Sequence, residues 1–232
     1  VFLSHFWDAH VEPEVIKEIG ALGIATVNWF CNGSYQLYLV EKIAPAYDYI
    51  LVPERFRVED YRKLGANPLF FPEAANPSYY RPIEGTSLKH DVTFVGQCYG
   101  ERINYAAQLH RAGIQFSAFG PQWEELAQRD CKLMRRLKLS PPVYAARSFL
   151  KKSIGKRPPR PRVPMAIANP PLPDDDMVRL YSESKIVLGF SSCGDTDRTG
   201  ERIVQVRLRD MEVPMCGAFY ITERFDELGE CF

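Results

Sequence analysis

The chain has no run of about 18 apolar residues, so no segment of it is long and apolar enough to cross a bilayer as a helix. It has no C-x-x-C pair and no Cys/His cluster. The six cysteines, at 31, 98, 131, 193, 216 and 231, are scattered, and the four histidines stand at 5, 10, 90 and 110. That pattern argues against a zinc site and against a disulfide framework. Isolated thiols fit a reducing compartment, so the expected location is the cytoplasm. There is no G-x-G-x-x-G fingerprint either. An initiating Met is also missing: the chain opens in the strand-like Val1-Phe2-Leu3-Ser4 and stops at Phe232 after a partial helix, so a fragment cut inside structure at both ends is expected.

What is present is an ordinary globular composition, 46% hydrophobic and 25% charged over 232 residues. That length holds one large or two modest domains. The formal charge of zero hides an asymmetry. Residues 131–173 carry eleven Lys and Arg, no acid and nine of the eighteen prolines, leaving 18 basic against 29 acidic residues elsewhere. We read this window as an insertion, with 144–152 expected as a short amphipathic helix inside it. Three readings of it stay open: a solvated excursion, a peripheral contact with an anionic membrane face or a lipid-linked acceptor, and nucleic-acid binding. The last is disfavoured, because no recognised module accompanies the charge.

Residues 1–82 alternate strand-like runs (1–4, 24–30, 47–52, 69–71) with helical ones (12–22, 35–43, 58–64). Alternation of this kind predicts parallel strands joined by crossovers, a Rossmann-like α/β unit. Ligands in such sheets lie beyond the carboxyl ends of the strands. That rim should carry His5 and Trp7, then Trp29, Cys31 and Asn32, then Glu54, then Glu73 and Asn76. Residues 77–89 read as a linker, placing a first domain at 1–82 and a second at 83–232. In the second, 91–95 is a strand, 96–100 a glycine-bounded turn, 101–111 a helix and 114–119 a strand. A turn of that type lets backbone N–H groups approach a phosphate. A helix at 174–184 opens on three aspartates, which oppose its N-terminal dipole, and a buried strand follows at 185–190.

The densest chemistry lies in 198–223. Leu208, Met211 and Met215 share one helical face, and Gly217 is the natural stop. The run Ala218-Phe219-Tyr220-Ile221-Thr222 suits a strand buried on both sides. Glu212 lies among apolar neighbours, with Arg198, Arg202, Arg207 and Arg209 on the approach. A carboxylate beside several guanidiniums suits ribose hydroxyls and a diphosphate; an ion-pair cluster on a helix surface is the competing reading.

Arg209-Asp210-Met211-Glu212, followed by Pro214-Met215-Cys216-Gly217 and a strand ending Thr222-Glu223, closely resembles the R-x-F-E-x-P-A-C-G-x-F-L-L-T-E signature of CgeB-like (spore-maturation-type) glycosyltransferases. Tyr47-Asp48-Tyr49, the stretch 71–82, and Tyr181, Ser184, Lys185, Ile186 and Leu188 resemble other parts of that family. The resemblance implies an α/β fold of two Rossmann-like domains, the GT-B type: an acceptor-side domain at 1–82 and a nucleotide-sugar-binding domain at 83–232. It implies that Glu212 binds the donor ribose, that Gly96, Tyr99 and Arg102 lie near the donor phosphates or base, and that Ser191, Arg202 and Gly217 complete the donor side. Arg207 and Arg209 would stabilise the departing nucleoside diphosphate. If transfer inverts the anomeric carbon, a base comes from the first rim, with His5, His10 and Glu54 as candidates.

The sequence departs from the family pattern in two places. Val204 stands where many relatives carry a second Glu, and Cys31-Asn32 where many carry acidic residues. Asp195-Thr196-Asp197 spells a D-x-D, a metal-holding motif in the other main glycosyltransferase fold; GT-B enzymes use arginines and helix N-termini instead, so neither metal nor cofactor is expected. The implied function is transfer of a hexosyl or related group from a nucleotide-sugar to an acceptor that the sequence does not identify, a lipid-linked acceptor and a polysaccharide being the candidates. The alternatives are a catalytically silent nucleotide- or glycan-binding relative, a GT-B-type sugar-nucleotide epimerase, and a scaffold acting through its basic surface.

Overall fold

The structure, a computed structural model, describes residues 1–127, 163–193 and 202–231. The expected helix at 144–152, most of the basic insertion, Arg198 and the D-x-D triplet lie outside the described residues. The chain divides into two compact units. One comprises Val1–Tyr79 with the described parts of Phe190–Glu212 and Thr222–Phe232; the other comprises the described parts of Tyr80–Gly189 with Val213–Ile221.

The first unit is built on a four-stranded parallel sheet in the order β1 (Phe2–Ser4), β2 (Thr26–Trp29), β3 (Tyr49–Val52), β4 (Pro68–Phe70). Between the strands run α1 (Pro13–Ala21), α2 (Gly33–Gln36) and α3 (Val58–Lys63). Ile16 of α1 and Tyr61 of α3 enter a core with Phe30, Val40, Ile43, Ile50 and Val52. Each such side chain stabilises the unit by roughly 1.5–3 kcal/mol when fully buried. A polar network sits beside this core. Buried Asn28 accepts hydrogen bonds from the Ser4 hydroxyl (2.9 Å) and the Phe6 N–H (2.8 Å), and its amide donates to the Phe6 carbonyl (3.0 Å). Tyr47 joins through the Ser4 hydroxyl at 2.9 Å. Asp48 accepts from both the N–H and the hydroxyl of Thr26. Because a buried polar group left unpaired costs about 1–3 kcal/mol, these bonds hold β1, β2 and β3 in one register.

The helix expected at 35–43 is absent. The chain there forms α2 and then two 3₁₀ turns, Leu37–Leu39 and Ala44–Ala46. Pro45 disfavours helix at the residue before it, and burial of Val40, Ile43 and Ala44 overrides the local helical pattern.

The second unit carries a five-stranded parallel sheet, order β7-β6-β5-β8-β9. Its strands are β5 (His90–Val95), β6 (Phe116–Phe119), β7 (Ala168–Asn169), β8 (Ser184–Leu188) and β9 (Phe219–Ile221). Its helices include α4 (Arg102–Arg111), α5 (Trp123–Ala127) and α6 (Asp174–Ser182), the last opening on the three aspartates. From β5 the chain steps outward to β6 and β7, then to β8 and β9 on the other side, so the switch of direction lies between β5 and β8. Gly96 follows β5 there. Its carbonyl accepts the Trp123 indole N–H at 2.7 Å, and a Cβ built on Gly120, whose φ is 141°, would stand 2.4 Å from the Gly96 oxygen. The two turns touch backbone to backbone, which only glycine allows.

The two parallel sheets bear out the α/β fold of Rossmann-like units. Strand β9 differs from expectation in one respect: instead of being buried on both sides it is an edge strand among the described residues, with Phe219 66% and Ile221 45% exposed. An apolar run specifies a strand, while its position in the sheet decides how many faces are covered.

Gly120→Ala should lower stability by about 3 kcal/mol or more, since both a clash and an unfavourable φ are imposed. Gly113→Ala has the φ penalty alone, with nothing near its Cβ, and should cost about 1–2 kcal/mol. Urea midpoints of the two variants check this, and equal losses would contradict the close-approach argument.

Candidate functional site

Because the first sheet is parallel, all four of its strands present their carboxyl ends to one rim, and the residues just beyond them are His5, Cys31, Glu54 and Glu73. Glu54 is 3% exposed. One of its oxygens accepts the Ser34 N–H at 3.2 Å, and the other, Oε2, is buried with no hydrogen-bond partner. Burial raises its carboxyl from the usual 4.5 to about 8, against the pull of the Ser34 N–H and with further upward pushes from Glu73 and Glu227. Glu73 is raised as well, again chiefly by burial; Arg207, a hydrogen bond from the Cys31 thiol and Arg209 draw it down, and Glu212 pushes it up. The Cys31 thiol is in turn pushed up to about 12, by burial first and then by the carboxylates of Glu73 and Glu54. It is a hydrogen-bond donor, not a nucleophile.

The arginines reach this rim from α7 (Leu208–Met215) and the residue before it. Asp210, 1% exposed, turns its carboxylate back to accept the Arg207 N–H at 2.7 Å. That is the reach-back half of a capping box, and it fixes where the helix starts. The Arg207 guanidinium donates to the Ser192 carbonyl at 3.1 Å. Glu212 is 5% exposed. It therefore does not stand on an open helix surface, as the competing ion-pair reading requires. Gly217, at φ 76°, closes the helix as expected, with Pro82 3.2 Å from where its Cβ would be.

A short antiparallel pairing braces the approach to α7. Ser192 bridges Val204, Cys193 N–H donates to Ile203 and Gln205 N–H donates to Ser191. Within it the Cys193 thiol donates to Gln205 Oε1 at 3.1 Å and lies 3.6 Å from the Ser34 hydroxyl. Ser191 is buried with its hydroxyl 3.2 Å from that of Thr222, and Arg202 is ion-paired with Glu223. Alongside the α7 group, the Pro53–Phe70 side of the rim opens into a cleft of about 150 Å³, lined also by Glu54, Glu73 and Met211.

The other sequence candidates lie as follows. His5 is exposed on the same rim, its ring 6.0 Å from that of Phe30, and His10 packs on Trp7 at 3.7 Å. In the second unit Gly96, Tyr99 and Arg102 come together at the switch point. The Arg102 guanidinium donates to the Gln97 carbonyl (2.8 Å) and the Tyr99 hydroxyl (2.7 Å), and stacks 3.8 Å from the Tyr99 ring. Sequence reasoning missed the grouping of Glu73 and Cys31 with Arg207, Arg209 and Glu212. Glu73 was visible only as a strand-end residue, and no local signal links it to positions more than a hundred residues later.

Between pH 4.5 and 8 the folded chain keeps a proton on Glu54 that the unfolded chain releases. The stability this contributes is complete below the lower value and is lost as pH rises through the upper one, by about 1.4 kcal/mol per unit. Glu54→Gln carries no charge to bury. Its stability should overtake that of the parent as pH rises through this window, read as urea midpoints across a pH series; parallel pH profiles would remove Glu54 from this role.

A comparison with family models adds a match of residues 102–232 to one described as glycosyl transferase-like. No curated protein matches the chain. The match takes in α4, strands β6 to β9 of the second unit, the Arg207–Glu212 group and everything beyond it, and begins after β5. Covering more than half of the sequence, it shows that the chain belongs to the glycosyl transferase-like family.

Proposed function

We propose that this protein is a CgeB-like glycosyltransferase that moves a hexosyl or related group from a nucleotide-sugar to an acceptor hydroxyl. The observation that carries the reading is the buried Glu212, electrostatically coupled to Glu73 beside Arg207 and Arg209, on the segment matched to a glycosyl transferase-like family. Departure of a nucleoside diphosphate builds negative charge on its oxygens. Guanidiniums held in place at a partly buried site stabilise that charge far better than water does, because their dipoles need no reorganisation. Arg207 is so held, by the Asp210 cap at its backbone and by Ser192 at its side chain. Glu212 accepts hydrogen bonds from the ribose hydroxyls, and Gly96, Tyr99 and Arg102 are proposed as further donor contacts.

For an inverting transfer, Glu54 is favoured over His5 and His10 as the base. Its carboxyl, raised to about 8, is in its ionised form a stronger base than an ordinary carboxylate, and that form grows as pH rises toward this value. The scattered cysteines of the sequence, with no disulfide framework in their spacing, support the cytoplasm as the proposed site of action.

Titration of the intact protein with UDP, GDP, dTDP and CDP by calorimetry tests this. One of them should bind, with Glu212→Ala weakening it at least tenfold, the loss of about 1.4 kcal/mol expected for a hydroxyl–carboxylate contact. Arg209→Ala should lower the rate of donor-sugar release more than nucleotide affinity, since its charge acts on the departing group. Unaltered nucleotide affinity in Glu212→Ala would overturn the assignment.

A further inference from the structure

Two buried oxygens of the first unit have no hydrogen-bond partner, and they stand beside the same residue. They are Glu54 Oε2 and the Tyr61 hydroxyl. A Cβ built on Gly33 would meet Tyr61 Oη at 2.8 Å and Glu54 Oε2 at 3.4 Å, so both atoms close on the side of Gly33 where any other residue carries its side chain. Glu54 is almost wholly buried and Tyr61 wholly so, which leaves neither oxygen open to solvent. Buried polar atoms without partners are rare in folded proteins, and two at one spot call for a common cause.

The surroundings fix both side chains without satisfying these two atoms. Glu54 Oε1 accepts the Ser34 N–H at 3.2 Å. Arg57 holds Ser34 in turn, its Nε donating to the Ser34 carbonyl at 3.0 Å and its Nη1 to Asp60 at 2.9 Å. The guanidinium is thereby committed to Ser34 and Asp60. Tyr61 follows Asp60 on α3, with its ring in the core. The remaining titratable groups around Glu54 do not help it: Glu73 and Glu227 push its carboxyl up, and the Cys31 thiol donates to Glu73. Tyr61 has an O–H to offer and keeps it. Burial first and then the Glu54 carboxylate raise the phenol above its ordinary value, with Arg57 pulling down and Cys31 pushing up. A neutral carboxyl tolerates a bare oxygen, whereas a buried carboxylate needs a donor there.

We propose that Tyr61 is a positioning residue for Glu54: when the carboxyl gives up its proton to water, the Tyr61 hydroxyl donates to Oε2. The carboxylate is then gripped by Ser34 on one oxygen and by Tyr61 on the other, and Gly33 leaves the space in which they meet. A hydrogen bond made to the charged form favours that form, so Tyr61 lowers the pH at which Glu54 becomes a base. The catalytic meaning rests on Glu54 as the base of the transferase reading; the pairing itself does not.

The test is carbon-detected NMR of side-chain carboxyls in the intact protein, with the Glu54 signal identified by its loss in Glu54→Gln. Tyr61→Phe removes one oxygen and keeps the ring. It should raise the Glu54 midpoint by about one pH unit, a tenfold loss of the ionised form. Urea midpoints across a pH series give a second readout. Below the parent's midpoint, near 8, the variant should be at least as stable as the parent, because an unpaired hydroxyl has gone; above it the variant should fall behind. In a Glu54→Gln background that pH dependence should vanish. An unchanged Glu54 midpoint in Tyr61→Phe, or a stability difference equal at every pH, overturns the pairing.

Nucleoside diphosphates titrated into the same samples separate the two claims. A shifted midpoint without nucleotide binding keeps the pairing and sinks the transferase reading. Nucleotide binding with an unshifted midpoint does the reverse.

Discussion

Two glutamates, Glu54 and Glu73, stand at the rim of the first sheet in surroundings that penalise their charge, and the rest of the candidate site is arranged around that penalty. An isolated buried carboxylate either takes up a proton or finds compensation. Both solutions occur here side by side. Glu54 has only backbone donors, the N–H of Ser34 and its own, and moves to about 8, while Glu73 is raised against the pull of a thiol donor and two guanidiniums. Neighbouring carboxyls in different surroundings are how one site holds an acid and a base at the same pH.

The compensation for Glu73 depends on local structure far along the chain. Arg207 and Arg209 are of use only if α7 begins where it does, and the start of α7 is set by Asp210 capping the Arg207 N–H. The pairing of Ser192 with Val204 then holds the segment before the helix. A departure from the related family pattern falls inside this pairing. Val204 occupies the place of a common second Glu, and here its backbone serves as a bridge residue. Asp48, legible as part of a Tyr-Asp-Tyr motif, proves to bind Thr26 across two strands, a structural duty that stabilises the rim from beneath.

In the second unit the governing constraint is steric. Gly96 and Gly120 approach so closely that neither turn tolerates a side chain, and this brings Arg102 and Tyr99 to the end of β5 as a stacked pair. The glycine-bounded turn at 96–100 was readable from the sequence. That its partner would be the turn at Gly120 was not, because the contact is made by the backbone, which has no residue-specific signature.

What the amino-acid order determined by itself was everything short-ranged: the alternation of strands and helices, their parallel sense, the stop at Gly217 and the aspartates opening α6. Hydrophobic period and φ preference act over a few residues, so they survive without knowledge of the fold, and where burial competed with them, in 35–43, they lost. Only the tertiary structure decided which carboxyls lose their water, that Cys31 would donate to Glu73, and that residues near 54, 70, 205 and 227 would wall one cleft. Desolvation and Coulomb coupling depend on distance in space, and the groups that set them here are separated by up to about 170 positions along the chain.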